Sequence, residues 1–459
     1  MLVDPKTQRP GQLQLLTASM RPLGRATVTP RKAQAQASGP RALAFSSGRF
    51  MISPMTEAEI AKLATWLAKA GLEGRTETAL VEGFCGRAVA GGLPLVRAIL
   101  FIDTLHPIHE GRAFRWEREK PEATLTEYGR TTEGEAAERW HASPFFRMLG
   151  TGDSVLRSRI LVDGELEFPS FAELREASIS DYVAVINRFA EDGVIGEMDC
   201  IYSSWMTDRA EGFTDDEIGA LKRLTPFLGL AIKAASLARI AQTLVETYLG
   251  RDAGRRVLRG RIERGVADRI KTVLWFSDLR NYTRISDTSP PEEIIPLLND
   301  YAEAIVSSIH QHAGDVLKLI GDGVLAIFPA EERSRACAAA LDAAGAAREA
   351  VGALNARRFE KGLPASEMYL GLHIGEVFYG NIGSKERLDF TVVGPAVNEV
   401  SRIAAMCRSV DQPILISAAF AESCVEQRRA FASVGRFALR GVGKPQELFT
   451  LDLEGSLVG

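Results

Sequence analysis

Apolar residues recur along this chain at two spacings, and the alternation between them outlines its elements. TEAEIAKLATWLAKAGL keeps helical spacing and opens on a capping box, Thr56 followed three residues later by Glu59. LPLVRAILFID and EMDCIYSSWM read as strands. Helical spacing returns at Ile218, Leu221, Leu224, Phe227 and Leu228, behind a second capping box, Thr214 with Glu217. Pro226 inside that segment is where a kink is expected. Residues 51–235 therefore read as a mixed α/β domain whose last helix runs on toward the C-terminal half.

Residues 236–270 read as a helical connector. Leu237, Ile240, Leu244 and Leu249 have the spacing of a dimer seam, and the arginine-rich GRDAGRRVLRGRIERG follows. That run fits a solvated face, and it also fits a phosphate or regulatory contact. From Lys271 the pattern is strand, helix, strand, strand, helix, strand. TVLWFSD precedes the helical PEEIIPLLNDYAEAIVSSIHQHAG, with proline at its start, where it is tolerated. GDVLKLIGDGVLAIFP reads as two strands joined by a Gly-Asp-Gly turn, and an alanine-rich helix covers 333–358. YLGLHIGEVFYGNIG, DFTVVG and PILIS are strand material, PAVNEVSRIAAMCR is a helix, and FALRGVGKPQELFTLDL closes as a hairpin. This order predicts an α+β domain of the ferredoxin-like βαββαβ class, with helices on one face of its sheet.

Composition narrows the function classes. With 459 residues the chain holds two or three domains; 46% are hydrophobic and 25% charged, an ordinary globular balance. A net charge of −4 gives no reason to expect nucleic acid or an anionic membrane as partner. The five cysteines are scattered with no CxxC pair, which fits a reducing cytoplasm. Charges such as Lys233 and Arg239 interrupt the most apolar stretches, so no membrane span is expected. Residues 1–50 carry eight Lys and Arg against one acid, Asp4, and read as a disordered basic tail or as sequence upstream of a start at Met51.

Two carboxylates sit where strands end: Asp278 closes TVLWFSD, and Asp322 lies in the Gly-Asp-Gly turn. Alone, each reads as a turn-capping aspartate. Meeting across adjacent strands, they would hold divalent cations for phosphate chemistry. The segments around them extend the pattern. FSDLRNYT (276–283), GDVLKLIGDGVLAIF (314–328), GLHIGEVFYGNIG (371–383) and FTVVGPAVNEVSRI (390–403) resemble, in order and spacing, the class III adenylate and guanylate cyclase catalytic domain. The resemblance spans residues 270 to 455. FTDDEIGALKRLTPFLGLAI separately resembles the terminal helix of GAF-type sensor domains.

The cyclase resemblance implies a reaction and a set of roles. ATP is cyclised to 3′,5′-cyclic AMP with loss of pyrophosphate, using two Mg²⁺ or Mn²⁺ ions per active site. Asp278 and Asp322 match the metal aspartates, and the Leu279 carbonyl would add a backbone oxygen. The loop of Asn281, Tyr282 and Thr283 would cradle the triphosphate through backbone N–H groups. Relatives often have glycine at the place of Asn281, a residue that tolerates positive φ. Asn398 and Arg402, four apart on one helix face, match the pair that positions ribose and stabilises charge on the α-phosphate. Lys318 and Thr391 match the purine-reading positions, where the lysine donates to adenine N1 and the hydroxyl meets the N6 amine. Lys with Thr places the chain with the bacterial adenylate cyclases that carry this pair. Two places depart from the pattern or leave it open. Pro395 stands where many relatives have aspartate, and either Arg440 or Lys444 in the last hairpin would reach the polyphosphate.

In the family, metal residues of one chain face the Asn/Arg helix of another, so the resemblance implies a homodimer with two shared sites. The expected protein is a cytoplasmic adenylate cyclase whose N-terminal domain answers an unknown small-molecule or protein signal. The alternatives are a catalytically inactive nucleotide-binding module and a guanylate cyclase. His106, His109 and His141 read as a candidate metal or haem cluster and equally as ordinary surface or core histidines.

Overall fold

The computed structural model describes residues 55–129, 134–160, 164–189, 195–196, 198–424 and 431–451. The basic stretch 1–50 lies outside them. The chain divides into two compact units, Met1–Ala241 and Gln242–Gly459.

The first unit begins with helices α1 (Glu57–Leu72) and α2 (Glu77–Ala90) and strands β1 (Arg97–Asp103), β2 (His109–Glu117) and β3 (Lys120–Gly129). Helices α3 (Glu135–His141) and α4 (Pro144–Thr151) follow, then β4 (Val155–Arg159) and α5 (Phe171–Glu176). Strands β5 (Asp181–Arg188) and β6 (Cys200–Thr207) precede the long α6 (Asp215–Leu249). Both capping boxes form: Thr56 accepts from the Glu59 N–H, and the Thr214 and Glu217 side chains each accept from the other's backbone N–H. The six strands make one antiparallel sheet in the order β3-β2-β1-β6-β5-β4.

Strand alternation splits the side chains of this sheet between two cores. Tyr202 and Met206 on β6 pack with Trp140, Phe145, Met148 and Phe171 from α3, α4 and α5. Trp205, between them, meets Phe84 of α2 edge-on at 5.2 Å. On this second face Gly229 of α6 sits over Ile201, where an added Cβ would lie 3.2 Å from the isoleucine. Pro226 leaves α6 unbroken across its 35 residues.

By length and composition alone, α6 is long and apolar enough to cross a membrane. Its apolar residues Leu221, Leu224, Leu228 and Ile232 are buried within the folded protein. The connector's seam pattern is also altered. Ile240 is buried, and Leu249 is half-buried against the core of the second unit.

The second unit continues with α7 (Arg251–Leu258), β7 (Ala267–Leu279), α8 (Tyr282–Thr288) and α9 (Pro291–Gln311). Then come β8 (Asp315–Ile320), β9 (Gly323–Pro329), α10 (Arg333–Glu360) and the 16-residue β10 (Met368–Gly383). The chain proceeds through β11 (Leu388–Val393), α11 (Pro395–Val410), β12 (Ile414–Ser417) and α12 (Ala418–Ser423). It closes with the hairpin β13 (Phe431–Phe437) and β14 (Gln446–Leu451). The sheet order is β13-β14-β12-β10-β7-β9-β8, with β11 paired to β10.

β7 lies inside this sheet and is buried on both faces, which is why its sequence reads as a continuous apolar run rather than an alternation. Val273 and Trp275 join a core built with α9, α10 and α12. Leu274 points the other way, into a core that includes α7 and α11. Helices therefore cover both faces, not one as the βαββαβ pattern alone suggests. A second difference is α8. The segment after Asn281, read as loop, makes two turns of helix, and Asn281 stands before it with left-handed backbone at φ 59° and ψ 24°.

Candidate active site

Asp278 is brought to the site by β7. That strand pairs with β9 up to Ser277 opposite Val324, so its last residues end beside the β8–β9 turn. The turn is closed by Ile320 opposite Gly323, leaving Gly321 and Asp322 at its centre. Gly321 takes φ 63°, a conformation glycine adopts without steric cost. Gly323 is required for another reason: an added Cβ would lie 3.1 Å from the Ser277 carbonyl oxygen and 3.2 Å from that of Ile320.

The two carboxylates meet at one backbone group. The Leu279 N–H donates to Asp278 Oδ1 at 2.9 Å and to Asp322 Oδ2 at 3.2 Å. Crowding by protein atoms, then the hydrogen bond and charge of Asp322, raise the Asp278 pKa to about 7, against the lowering effect of the Leu279 N–H. Paired acids with a single shared donor lack compensating positive charge, and a cation between them would supply it. Among the described residues no group of three or more His, Cys, Asp or Glu is placed to hold a metal. Two carboxylates nonetheless suit Mg²⁺, which keeps several waters and takes further oxygens from substrate phosphates. The donor set therefore fits the expected ions.

Beyond Leu279, Asn281 and Thr283 are exposed and Tyr282 is half-buried against the α9–α10 core. As first residues of α8, Tyr282 and Thr283 have N–H groups with no acceptor inside the helix.

Asn398 and Arg402 lie on the exposed side of α11, while Val400, Ile403 and Cys407 are buried. The helix is seated by Gly371 of β10, where a Cβ would come 2.7 Å from the Ala404 nitrogen and 2.8 Å from the Val400 carbonyl oxygen. Among the described residues the Arg402 guanidinium and the Asn398 amide have no hydrogen-bond or ion-pair partner. Within one chain, then, no such contact links this pair to Asp278 or Asp322.

Lys318 and Thr391 come from β8 and β11. β8 has a register shift against β9 between Val316 and Lys318. Leu317 turns into the core, and Lys318, Leu319 and Ile320 are all exposed. On β11, Phe390 and Val392 are buried, leaving Asp389 and Thr391 half-buried on the opposite face. The Lys318 ammonium donates to Asp389 Oδ2. Asp389 was not among the candidates read from sequence. Its only signal there is its position two residues before Thr391 in a strand, which puts both on one face.

Other expected positions fall outside this cluster. Arg440 and Lys444 are both exposed in the β13–β14 connection, and Pro395 is the first residue of α11. The three histidines do not form one cluster: the rings of His106 and His109 stack at 4.6 Å, whereas His141 packs against Phe146. In the arginine run, Arg256 pairs with Asp252 and Asp268, and Arg261 also pairs with Asp268.

An uncharacterised protein of Mycobacterium tuberculosis is 32% identical over 241 residues, covering 51% of this chain and 42% of its own. An adenylate cyclase of Anabaena cylindrica is 35% identical over 160 residues, covering 34% of this chain and 31% of that protein. The chain thus spans less than half the length of these curated relatives. The crystal structure of the adenylyl cyclase CyaB from P. aeruginosa is 25% identical over 40% of this chain and 95% of its own, with a TM-score of 0.37. Residues 267–452, within the second unit, match the family model of the adenylate and guanylate cyclase catalytic domain.

Proposed function

We propose that the protein is an adenylate cyclase, forming 3′,5′-cyclic AMP and pyrophosphate from ATP at sites shared by two copies of the chain. The observation that carries this reading is the convergence of Asp278 and Asp322 on one N–H, an acid pair next to the start of α8. Two bound Mg²⁺ or Mn²⁺ ions, held by these carboxylates with the Leu279 carbonyl, would acidify the ribose 3′-hydroxyl and neutralise phosphate charge. The 3′-oxygen attacks the α-phosphorus, the bond to the pyrophosphate oxygen breaks, and the hydroxyl proton passes to solvent. Amides at Asn281, Tyr282 and Thr283 hold the polyphosphate, and Arg402 meets the charge that grows on the α-phosphate while Asn398 orients the ribose.

Lys318 favours ATP. Its ammonium matches adenine N1, an acceptor, and opposes the N–H that guanine carries at that position. The homodimer is supported by two features. Among the described residues Asn398 and Arg402 have no hydrogen bond or ion pair to the carboxylates of their own chain, and Leu319, Ile320 and Val393 leave apolar surface exposed on β8 and β11, the strands that carry Lys318 and Thr391. The order β3-β2-β1-β6-β5-β4 with helices on both faces supports a GAF-like sensor in the first unit, and the β10-β7-β9-β8 portion supports a ferredoxin-like class for the second.

The test is product formation by purified full-length protein with Mg²⁺ or Mn²⁺. Cyclic AMP from ATP, exceeding cyclic GMP from GTP, is expected. Folded protein that binds ATP but releases no cyclic nucleotide with either metal would instead identify an inactive nucleotide-binding module.

A further inference from the structure

The pairing of Lys318 with Asp389 has features that fold stability does not explain. β8 is the outermost strand beyond β9, whereas β11 pairs with β10, so no hydrogen-bonded ladder joins the two strands. The side chains are 45% and 41% exposed, a degree at which an ion pair contributes only about 0–1 kcal/mol to stability. What the contact does fix is direction. A lysine side chain has about 2 kcal/mol of rotamer entropy and ordinarily samples many positions. Here the register shift in β8 brings Lys318 out of the sheet, and Asp389 holds its ammonium on the side of β11 that also presents Thr391.

We propose that Asp389 is a specificity-determining positioning residue of the purine site, a role that rests on the adenylate cyclase reading. By anchoring Lys318, it places a donor at one point beside the Thr391 hydroxyl. That order of groups is complementary to adenine, whose N1 accepts and whose neighbouring N6 amine donates. Guanine reverses both, with a donor at N1 and an acceptor at O6. A lysine released from Asp389 would swing from the N1 position toward O6 and serve either base, so the anchor excludes guanine by denying the lysine that second position.

The experiment compares the wild-type full-length protein with Asp389→Ala and Asp389→Glu, assayed with MgATP and MgGTP. Loss of a charge-assisted hydrogen bond that orients the lysine predicts a KM for ATP higher by about five- to tenfold in Asp389→Ala. The loss should fall on KM more than on kcat, and the ATP:GTP ratio of kcat/KM should drop by a similar factor. Asp389→Glu, which keeps the carboxylate, should recover part of that ratio; a role in folding alone would not move it. An ATP:GTP ratio in Asp389→Ala within twofold of wild type would overturn the proposal. If wild type forms neither cyclic nucleotide, it is the adenylate cyclase reading that falls. Calorimetric binding of ATP and GTP to the same proteins then decides the role of Asp389: a lower ATP preference in Asp389→Ala upholds it, and an unchanged preference rejects it.

Discussion

Asp278 and Asp322 share one hydrogen-bond donor, the backbone N–H of Leu279, although 43 residues separate them in the chain. Among the described residues, one backbone dipole opposes the two carboxylates together. Its consequence is a site that is uncomfortable without a cation.

Replacing Asp278 with Asn should therefore separate activity from stability. If Asp278 holds a metal as proposed, cyclase activity should fall more than about a hundredfold. In chelator, however, the variant should be the more stable protein near pH 8, by about 1–2 kcal/mol after allowing for the partial exposure of the carboxyl. The sign follows from the raised pKa. Asp278 favours the folded state below its unfolded pKa of 3.8, and that contribution is lost as pH rises through about 7. The advantage of Asp278→Asn should accordingly vanish near pH 4. Thermal unfolding in chelator and in Mg²⁺ checks this, and saturating Mg²⁺ should raise the Tm of wild type more than that of the variant.

Complementation tests the shared site. Asp278→Ala and Arg402→Ala chains should each be inactive alone. In verified heterodimers one of the two sites contains both intact halves, so activity should return to at most about half of wild type. Absence of recovery would reject the shared arrangement.

Gly371 predicts a mechanical effect. A Cβ there would press against the backbone of α11 at two points, and backbone cannot swing aside as a long side chain can. Gly371→Ala should cost about 1–3 kcal/mol, as overpacking does, and should displace the helix that carries Asn398 and Arg402. Its kcat should then fall below that of wild type at temperatures where circular dichroism reports a fully folded protein.

His373 predicts an acid-side instability. Buried between β10 and α11, its Nδ1 lies 2.8 Å from Ser417 Oγ, and burial lowers its pKa to about 4. Glu399 approaches to 3.8 Å, and burial pushes its carboxyl the opposite way, upward. Because the unfolded histidine binds its proton near pH 6.5, stability should fall as pH drops from 6.5 to about 4, by about 2–3 kcal/mol. His373→Asn should flatten that part of the profile in denaturant titrations.

How far the sequence reached differs between the two halves of the problem. TVLWFSD and the Gly-Asp-Gly turn were legible because a strand buried on both faces and a two-residue turn each leave a local signature. Both capping boxes were legible for the same reason. α8 was missed: two turns of helix with no buried residue carry no amphipathic stripe to read. Placing helices on one face failed because alternate residues of β7 enter different cores, and an unbroken apolar run does not say which helix covers which side. Ile240 had the spacing of a seam, yet spacing cannot tell a dimer face from an intrachain one.

The sequence by itself named the candidate residues: the two aspartates, the Asn398 and Arg402 pair four apart on a helix, and Lys318 with Thr391. The aspartates stand out by their place at strand ends; the other four are candidates only through the resemblance to the cyclase domain. Only the tertiary structure decided that Asp278 and Asp322 converge on one amide, and that Asp389 restrains Lys318 from a strand that no ladder joins to β8. Both depend on how strands distant in sequence lie beside one another in the sheet, together with a one-residue shift in β8, and neither leaves a periodic trace in the chain.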